Sequence, residues 1–164
     1  MYGKKLVKRV GSLVIAAVII ASAFAVLPTN YRKAEAVILG GVPLVITEIM
    51  YNPAGNDAGN EWIELFNMGD ESLNLSGWTI KDDLGNLFAT LDVTIDPYSY
   101  EVIYGSDLNN GDETIHVYDD TSTEVINVSY SDIAAENHSI ELNETDAWVT
   151  GPEGGTPSMP NDAM

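Results

Sequence analysis

The chain is 164 residues long and sets 25 Asp and Glu against seven Lys and Arg, a formal net charge of −18 at neutral pH, with no cysteine at all. Such a balance excludes nucleic acid and anionic lipid as ready partners, because both repel a dense field of carboxylates. The missing cysteine excludes a disulfide framework, so apolar burial, with bound ions as the further contributor, has to hold the fold.

The charge is unevenly placed. Six of the seven cations, Lys4, Lys5, Lys8, Arg9, Arg32 and Lys33, precede residue 37 in company with one acid, Glu35. The remaining 128 residues hold 24 acids and Lys81 alone, a net charge of −23 with His neutral. Residues 1–9 are basic, residues 10–27 form an uncharged and mostly apolar run, and Pro28 ends it. Ala21-Ser22-Ala23, Ala23-Phe24-Ala25 and Ala34-Glu35-Ala36 are small-residue cleavage sequences. The expectation is a signal peptide over residues 1–36, cut after Ala36, preceding the folded body. An uncleaved anchor helix is the alternative, since the apolar run has 18 residues and spanning takes roughly 17–25. Either way the body is expected outside the cytoplasmic membrane, secreted or at the cell surface, touching the membrane only through a retained N-terminal segment. At about 100–150 residues it is the usual size for one domain with one core.

Residues 37–43 read as a connector. Strand signals then follow in order: 44–51 (LVITEIMY), 61–67 (EWIELFN) after an Asn/Gly/Asp loop, 78–81, 87–91, 100–104, 114–118 and 124–130. Each is short and bounded by Gly, Asn, Asp or Pro. Leu84-Gly85-Asn86 and Asp119-Asp120-Thr121 read as hairpin turns. Residues 133–136 give one helical turn at most, and residues 151–164 read as a Gly/Pro-rich tail without strand signal, of which 162–164 lie beyond the domain. Seven to nine short strands with no sustained 3.6-residue period predict an all-β sandwich or barrel.

Trp62 and Trp78 are large enough to fill the space between two sheets, and Gly77 permits close backbone approach just before Trp78. Glu48, Glu61 and Glu64 are unusual because they lie inside strong strand patterns. Two readings stand. Glu61 and Glu64 sit at a strand end and on a solvent face, or one of them accepts N–H bonds from a neighbouring loop. Alternatively Glu48, Asn52, Asp57 and Glu61, which flank one loop, converge on Ca2+, an ion that takes six to eight oxygens of this kind. The loop 107–113 opens Asp-x-Asn, yet Gly111 stands at its fifth position, so a turn between strands explains it better than a calcium loop. Asp82-Asp83 and Asp119-Asp120 lie beside turn residues, where Asp is ordinary.

Catalysis finds little support. His116 is mid-strand, His138 precedes Ser139 in an expected loop, and the presence of serines and acids elsewhere defines no triad. There is no Gly-rich phosphate loop, and a glycosidase-type carboxylate pair needs a cleft that small sandwiches seldom offer. The expectation is a non-enzymatic protein. Asn74, Asn127, Asn137 and Asn143 each head an Asn-x-Ser/Thr sequence and are candidate glycosylation acceptors on an exported body.

Three segments in fixed order, Val45-Ile46-Thr47-Glu48-Ile49, Glu61-Trp62-Ile63-Glu64-Leu65-Phe66-Asn67 and Leu75-Ser76-Gly77-Trp78-Thr79-Ile80, are followed by Trp148 and by Thr156-Pro157-Ser158-Met159-Pro160-Asn161. This order resembles the lamin tail domain as found in exported bacterial and archaeal proteins, over residues 44–161. The resemblance implies an immunoglobulin-like β-sandwich without catalytic residues, in which Trp62, Glu64, Gly77, Trp78, Trp148, Pro157 and Asn161 are motif positions. Two departures stand out: Ser158 where the family usually has Gly, and Leu142 closing Ser139-Ile140-Glu141-Leu142 where the family often has Arg. The implied role is binding of a surface protein or polymer, or surface architecture. The alternatives are a calcium-stabilised envelope unit and an accessory domain of an exported hydrolase. The acidity fits either adaptation to high salt or capture of cations at specific loops.

Overall fold

A single row of isoleucines crosses four strands of the main sheet. Ile140 pairs with Ile49, Ile49 with Ile63 and Ile63 with Ile103. Branched residues stack well in such cross-strand positions, and the row gives the sheet one apolar face. In a computed structural model of the chain, residues 41–161 are described. The expected signal or anchor helix over residues 1–36, the start of the connector and residues 162–164 lie outside them.

All regular elements among the described residues are strands: β1 (Leu44–Met50), β2 (Glu61–Asn67), β3 (Leu73–Asn74), β4 (Thr79–Lys81), β5 (Leu87–Thr90), β6 (Thr94–Ile95), β7 (Tyr100–Gly105), β8 (Glu113–Tyr118), β9 (Glu124–Tyr130), β10 (His138–Leu142) and β11 (Trp148–Glu153). They form an antiparallel five-stranded sheet in the order β11-β10-β1-β2-β7, a four-stranded sheet β5-β4-β8-β9 and the short pair β3-β6. One apolar cluster draws on both larger sheets: Ile49, Ile63, Ile103 and Ile140 from the first, Ile80, Phe88, Ile115 and Val117 from the second. This is the expected all-β architecture of an immunoglobulin-like sandwich.

Several details differ from the sequence reading. Among the described residues there are eleven strands; the additions are the two-residue strands β3 and β6 and the pair β10 and β11, so residues 151–153 belong to a strand rather than to a structureless tail. Residues 133–136 make bends and a turn, closed by His138 N donating to the Ala135 carbonyl, with no helical turn. Both anticipated hairpin turns are present. The Asp82 carboxylate accepts from Leu84 N and Asn86 N, and the Asp119 carboxylate accepts from Thr121 N and Thr123 N. Gly77 has φ +83 and donates its N–H to the Leu91 carbonyl, a left-handed conformation that favours glycine just before Trp78 enters the core. Trp148 packs partly buried against the same core.

Trp78 lies between the sheets as expected, but Trp62 does not. β-strand alternation puts Ile63 and Leu65 on the core face, so Trp62, Glu64 and Phe66 fall on the opposite face of β2. Every residue of β1 and of β2 is nevertheless buried.

The isoleucine row and the exposed edge give a direct contrast. Ile63→Ala, at a fully buried position, is expected to lower unfolding free energy by about 2–5 kcal/mol. Leu87→Ala on β5, where half of the side chain is exposed, is expected to stay within about 0.5 kcal/mol. Urea unfolding followed by tryptophan fluorescence compares the two.

Candidate functional site

The row next to the isoleucines points the other way and is made of acids. Glu141 pairs with Glu48, and Glu48 pairs with Glu64. Like charges directly opposite one another in a sheet repel, and all three are buried: Glu48 and Glu64 are 0% exposed and Glu141 1%.

Local irregularity in β1 builds part of the site. The register shifts between Ile46 and Glu48, so Thr47 and Glu48 both fall on the Glu64 side, the two-against-one arrangement of a β-bulge. Thr47 Oγ1 donates to Glu64 Oε1 at 2.7 Å. Further donors come from the segment after β11. Thr156 N donates to Glu48 Oε1 at 2.9 Å, and Ser158 N donates to Glu64 Oε2 at 2.7 Å. Thr156 Oγ1 lies 3.0 Å from Glu48 Oε2 and 3.2 Å from Glu141 Oε1. Asn161 then fastens the end of the segment, its Nδ2 donating to the Thr47 carbonyl at 2.8 Å and the Leu142 carbonyl at 3.0 Å.

Two glycines keep this approach close. A Cβ on Gly155 would lie 2.7 Å from Glu48 Oε1 and 2.6 Å from Trp62 Cζ2, and one on Gly151 would collide with Ser139 Oγ and the Glu141 side chain. Gly155 also has φ +73, which a side chain rarely tolerates. Burial pushes the Glu64 carboxyl up to about 7, against the bonds from Thr47 and Ser158 that lower it; Glu48 and Glu141 raise it further.

The four residues expected to share one calcium ion are not brought together. Glu48 faces Thr156, whereas Glu61, three residues before Glu64 on β2, points to the opposite face and accepts from Leu108 N at 3.1 Å. Asp57 instead accepts from Asn110 Nδ2, and Asn52 contributes a backbone carbonyl to Asn137 N. The solvent-face reading of Glu61 and Glu64 is also overturned: both are buried and both accept a loop N–H.

The model of the lamin tail domain matches residues 40–132, more than half of the chain. The chain belongs to the lamin tail domain family. No curated protein and no solved structure matches it. The lamin tail domain is an immunoglobulin-like module, a non-catalytic family. In this lamin tail domain the matched stretch supplies Glu48 and Glu64, while Glu141, Thr156, Pro157 and Asn161 come from the segment beyond it. Pro157 is exposed, and the buried Thr156 and Asn161 beside it make the contacts.

A second acidic group escaped sequence reasoning. Asp82, Asp83 and Glu113 can place one carboxylate oxygen each within 4.8 Å of one another. Pairing of β4 with β8 brings them together across a long stretch of sequence, which no local pattern signals. The group is wired into its own loops: Glu113 accepts from Asp83 N, Asn109 N, Asn109 Nδ2 and Thr114 N. Burial raises the Glu113 carboxyl above its usual range.

The histidines and sequons take ordinary places. His116 Nδ1 meets Glu124 Oε1 at 2.6 Å, and that bond, with one from Asn127, holds the Glu124 carboxyl below its usual range. His138 Nδ1 sits against the Glu136 carbonyl. Asn127 Nδ2 donates to Glu124, and Asn137 Nδ2 donates to Glu153. Asn74 and Asn143 use Oδ1 instead, accepting from Ser76 N and Thr145 N in tight local turns.

Glu61 generates a pH prediction. Burial, with Asp57 and Asp107 nearby, pushes its carboxyl from 4.5 up to about 7. The folded state therefore holds this proton more tightly than the unfolded state. The resulting stability is complete below pH 4.5 and is lost as pH rises through about 7. Melting temperature is expected to fall between pH 5 and pH 8, and Glu61→Gln, which keeps the shape without the charge, is expected to make that fall shallower in calorimetry.

Proposed function

We propose that this lamin tail domain is an exported or cell-surface, non-enzymatic module that binds a cationic surface protein or polymer, or serves in surface architecture. The observation that carries the reading is the partition of charge: a basic, apolar leader up to residue 36 and a body of net charge −23 behind it. The fold supports it. The buried acids Glu48, Glu61, Glu64 and Glu113 are spent on holding loops and the C-terminal segment, whereas Asp70, Glu71, Asp92, Asp96, Asp120 and Glu144 stand exposed. Exposed Leu87 on β5 and Tyr104 on β7, with Leu84 in the turn before β5, add apolar contact beside these edge strands, which meet where Gly105 abuts Phe88. Negative charge interleaved with a few apolar groups suits a cationic partner and repels phosphate.

Expression of the full chain in a bacterial host tests the reading. The protein is expected in the medium or surface fraction with Val37 as its first residue, by N-terminal sequencing. The exported protein is expected to bind immobilised polylysine, with affinity falling as salt rises, and to leave duplex DNA unbound. An intact chain confined to the cytoplasm overturns export; failure to bind the polycation overturns the proposed partner chemistry.

A further inference from the structure

Of the asparagines in the chain, only Asn110 is followed by glycine. That order governs the chemistry of the peptide bond between them. Glycine has no Cβ to shield its amide nitrogen, so the nitrogen can approach the carbonyl carbon of the preceding side chain. Both residues lie in the loop over 106–112, between β7 and β8. Asn110 is exposed, and a Cβ built on Gly111 meets nothing within 4 Å. The amide is open to water, and the backbone at Gly111 has space beside it.

The same side chain ties two loops together. Asn110 Nδ2 donates to Asp57 Oδ2 at 3.1 Å, in the loop over 51–60. Beside this bond, Gly59 N meets the Gly105 carbonyl at 3.1 Å and Ser106 Oγ at 2.9 Å, and Leu108 N donates to Glu61 Oε2 at 3.1 Å. The chain is also anchored on either side of the Asn-Gly bond. Asn109 donates N and Nδ2 to Glu113 Oε2, and its carbonyl accepts from Tyr130 Oη. Asp112 Oδ1 accepts from Asp132 N.

We propose that Asn110-Gly111 is a self-modification site, at which conversion of Asn110 to aspartate and isoaspartate breaks the tie between the loops over 51–60 and 106–112. The Gly111 amide nitrogen attacks Asn110 Cγ and forms a new C–N bond. The bond from Cγ to Nδ2 breaks, and ammonia leaves with the proton from the Gly111 nitrogen. Water then opens the five-membered imide at either carbonyl, giving the two acids. Neither an oxidant nor a cofactor enters, and water is the sole co-reactant. Both products replace a donor with an acceptor opposite the Asp57 carboxylate, so attraction becomes repulsion. The isoaspartate product also adds a carbon to the main chain between the Asn109 and Asp112 anchors. Asp57 restrains the reaction. The Asn110 side chain has to turn away from it, and its negative charge disfavours loss of the Gly111 amide proton.

Prolonged incubation of the full chain at mildly alkaline pH, well below its Tm, tests this. Peptide mass spectrometry reads amide-to-acid conversion, and enzymatic methylation of isoaspartyl groups reads the isomer. Conversion is expected first at residue 110. Gly111→Ala, for which there is space, is expected to slow it at least about tenfold. Asp57→Ala is expected to speed it about threefold. The structural consequence is read by calorimetry without waiting for the reaction. Asn110→Asp is expected to melt about 2 °C below Asn110→Ala at low ionic strength, and added salt is expected to narrow that gap. The proposal is overturned by an Asn110 amide that survives incubation, by Gly111→Ala reacting as fast as the parent, by Asp57→Ala leaving the rate unchanged, or by Asn110→Asp melting level with Asn110→Ala.

Discussion

The structure depends on a repulsion that has to be answered. Strand pairing aligns Glu141, Glu48 and Glu64 in one row, immediately beside the isoleucine row that fills the core. The two rows are alternate positions of the same strands, so neither can be moved without the other. A one-residue slip of β1 would send Glu48 into the core and expose Ile49. The register that buries the isoleucines therefore forces the acids together, and the segment from Thr156 to Asn161 covers them with donors. Completion of the main sheet and docking of the C-terminal segment are in this sense one event.

This accounts for residues that make no core contact of their own. Gly151 and Gly155 leave room for the segment to approach the carboxylates. Asn161 bridges the backbone of β1 and β10 through the Thr47 and Leu142 carbonyls, beside the acids rather than on them. Trp62 lines the same face, so its burial reflects the docked segment and not the space between the sheets. Elsewhere, Glu61 on β2 and Glu113 on β8 play a parallel part: each sits at a strand end and gathers N–H groups from the loop over 106–112.

The strands most easily read in the sequence were those whose side-chain alternation and flanking Gly, Asn and Asp agree, chiefly β1, β2, β8 and β9. β3 and β6 are two residues each, too short for any period to register. β11 carries Gly151 and Pro152, which argue against a strand until its edge position is known. The importance of Glu48 and Glu64 was visible, because acids inside apolar strands invite explanation. Their partners were not. Glu48 cannot converge with Glu61, because strand alternation turns residues 61 and 64 opposite ways and Glu48 pairs with Glu64. The true neighbour, Glu141, is set by the pairing of β1 with β10 and by the bulge at Thr47, neither of which leaves a local trace.

The acidity of this lamin tail domain then separates into two populations with different physics. Exposed carboxylates such as Asp70, Asp92 and Asp120 act as a field that salt screens within about 10 Å at moderate ionic strength. Carboxylates under the C-terminal segment are shielded from that screening, so fixed bonds such as those from Thr47, Thr156 and Ser158, or a proton, answer their charge. High salt can relieve the first population and leaves the second almost untouched. A dependence of stability on pH that persists in concentrated sodium chloride would thus belong to the buried row of Glu141, Glu48 and Glu64, and one that fades into the salt background would belong to the surface.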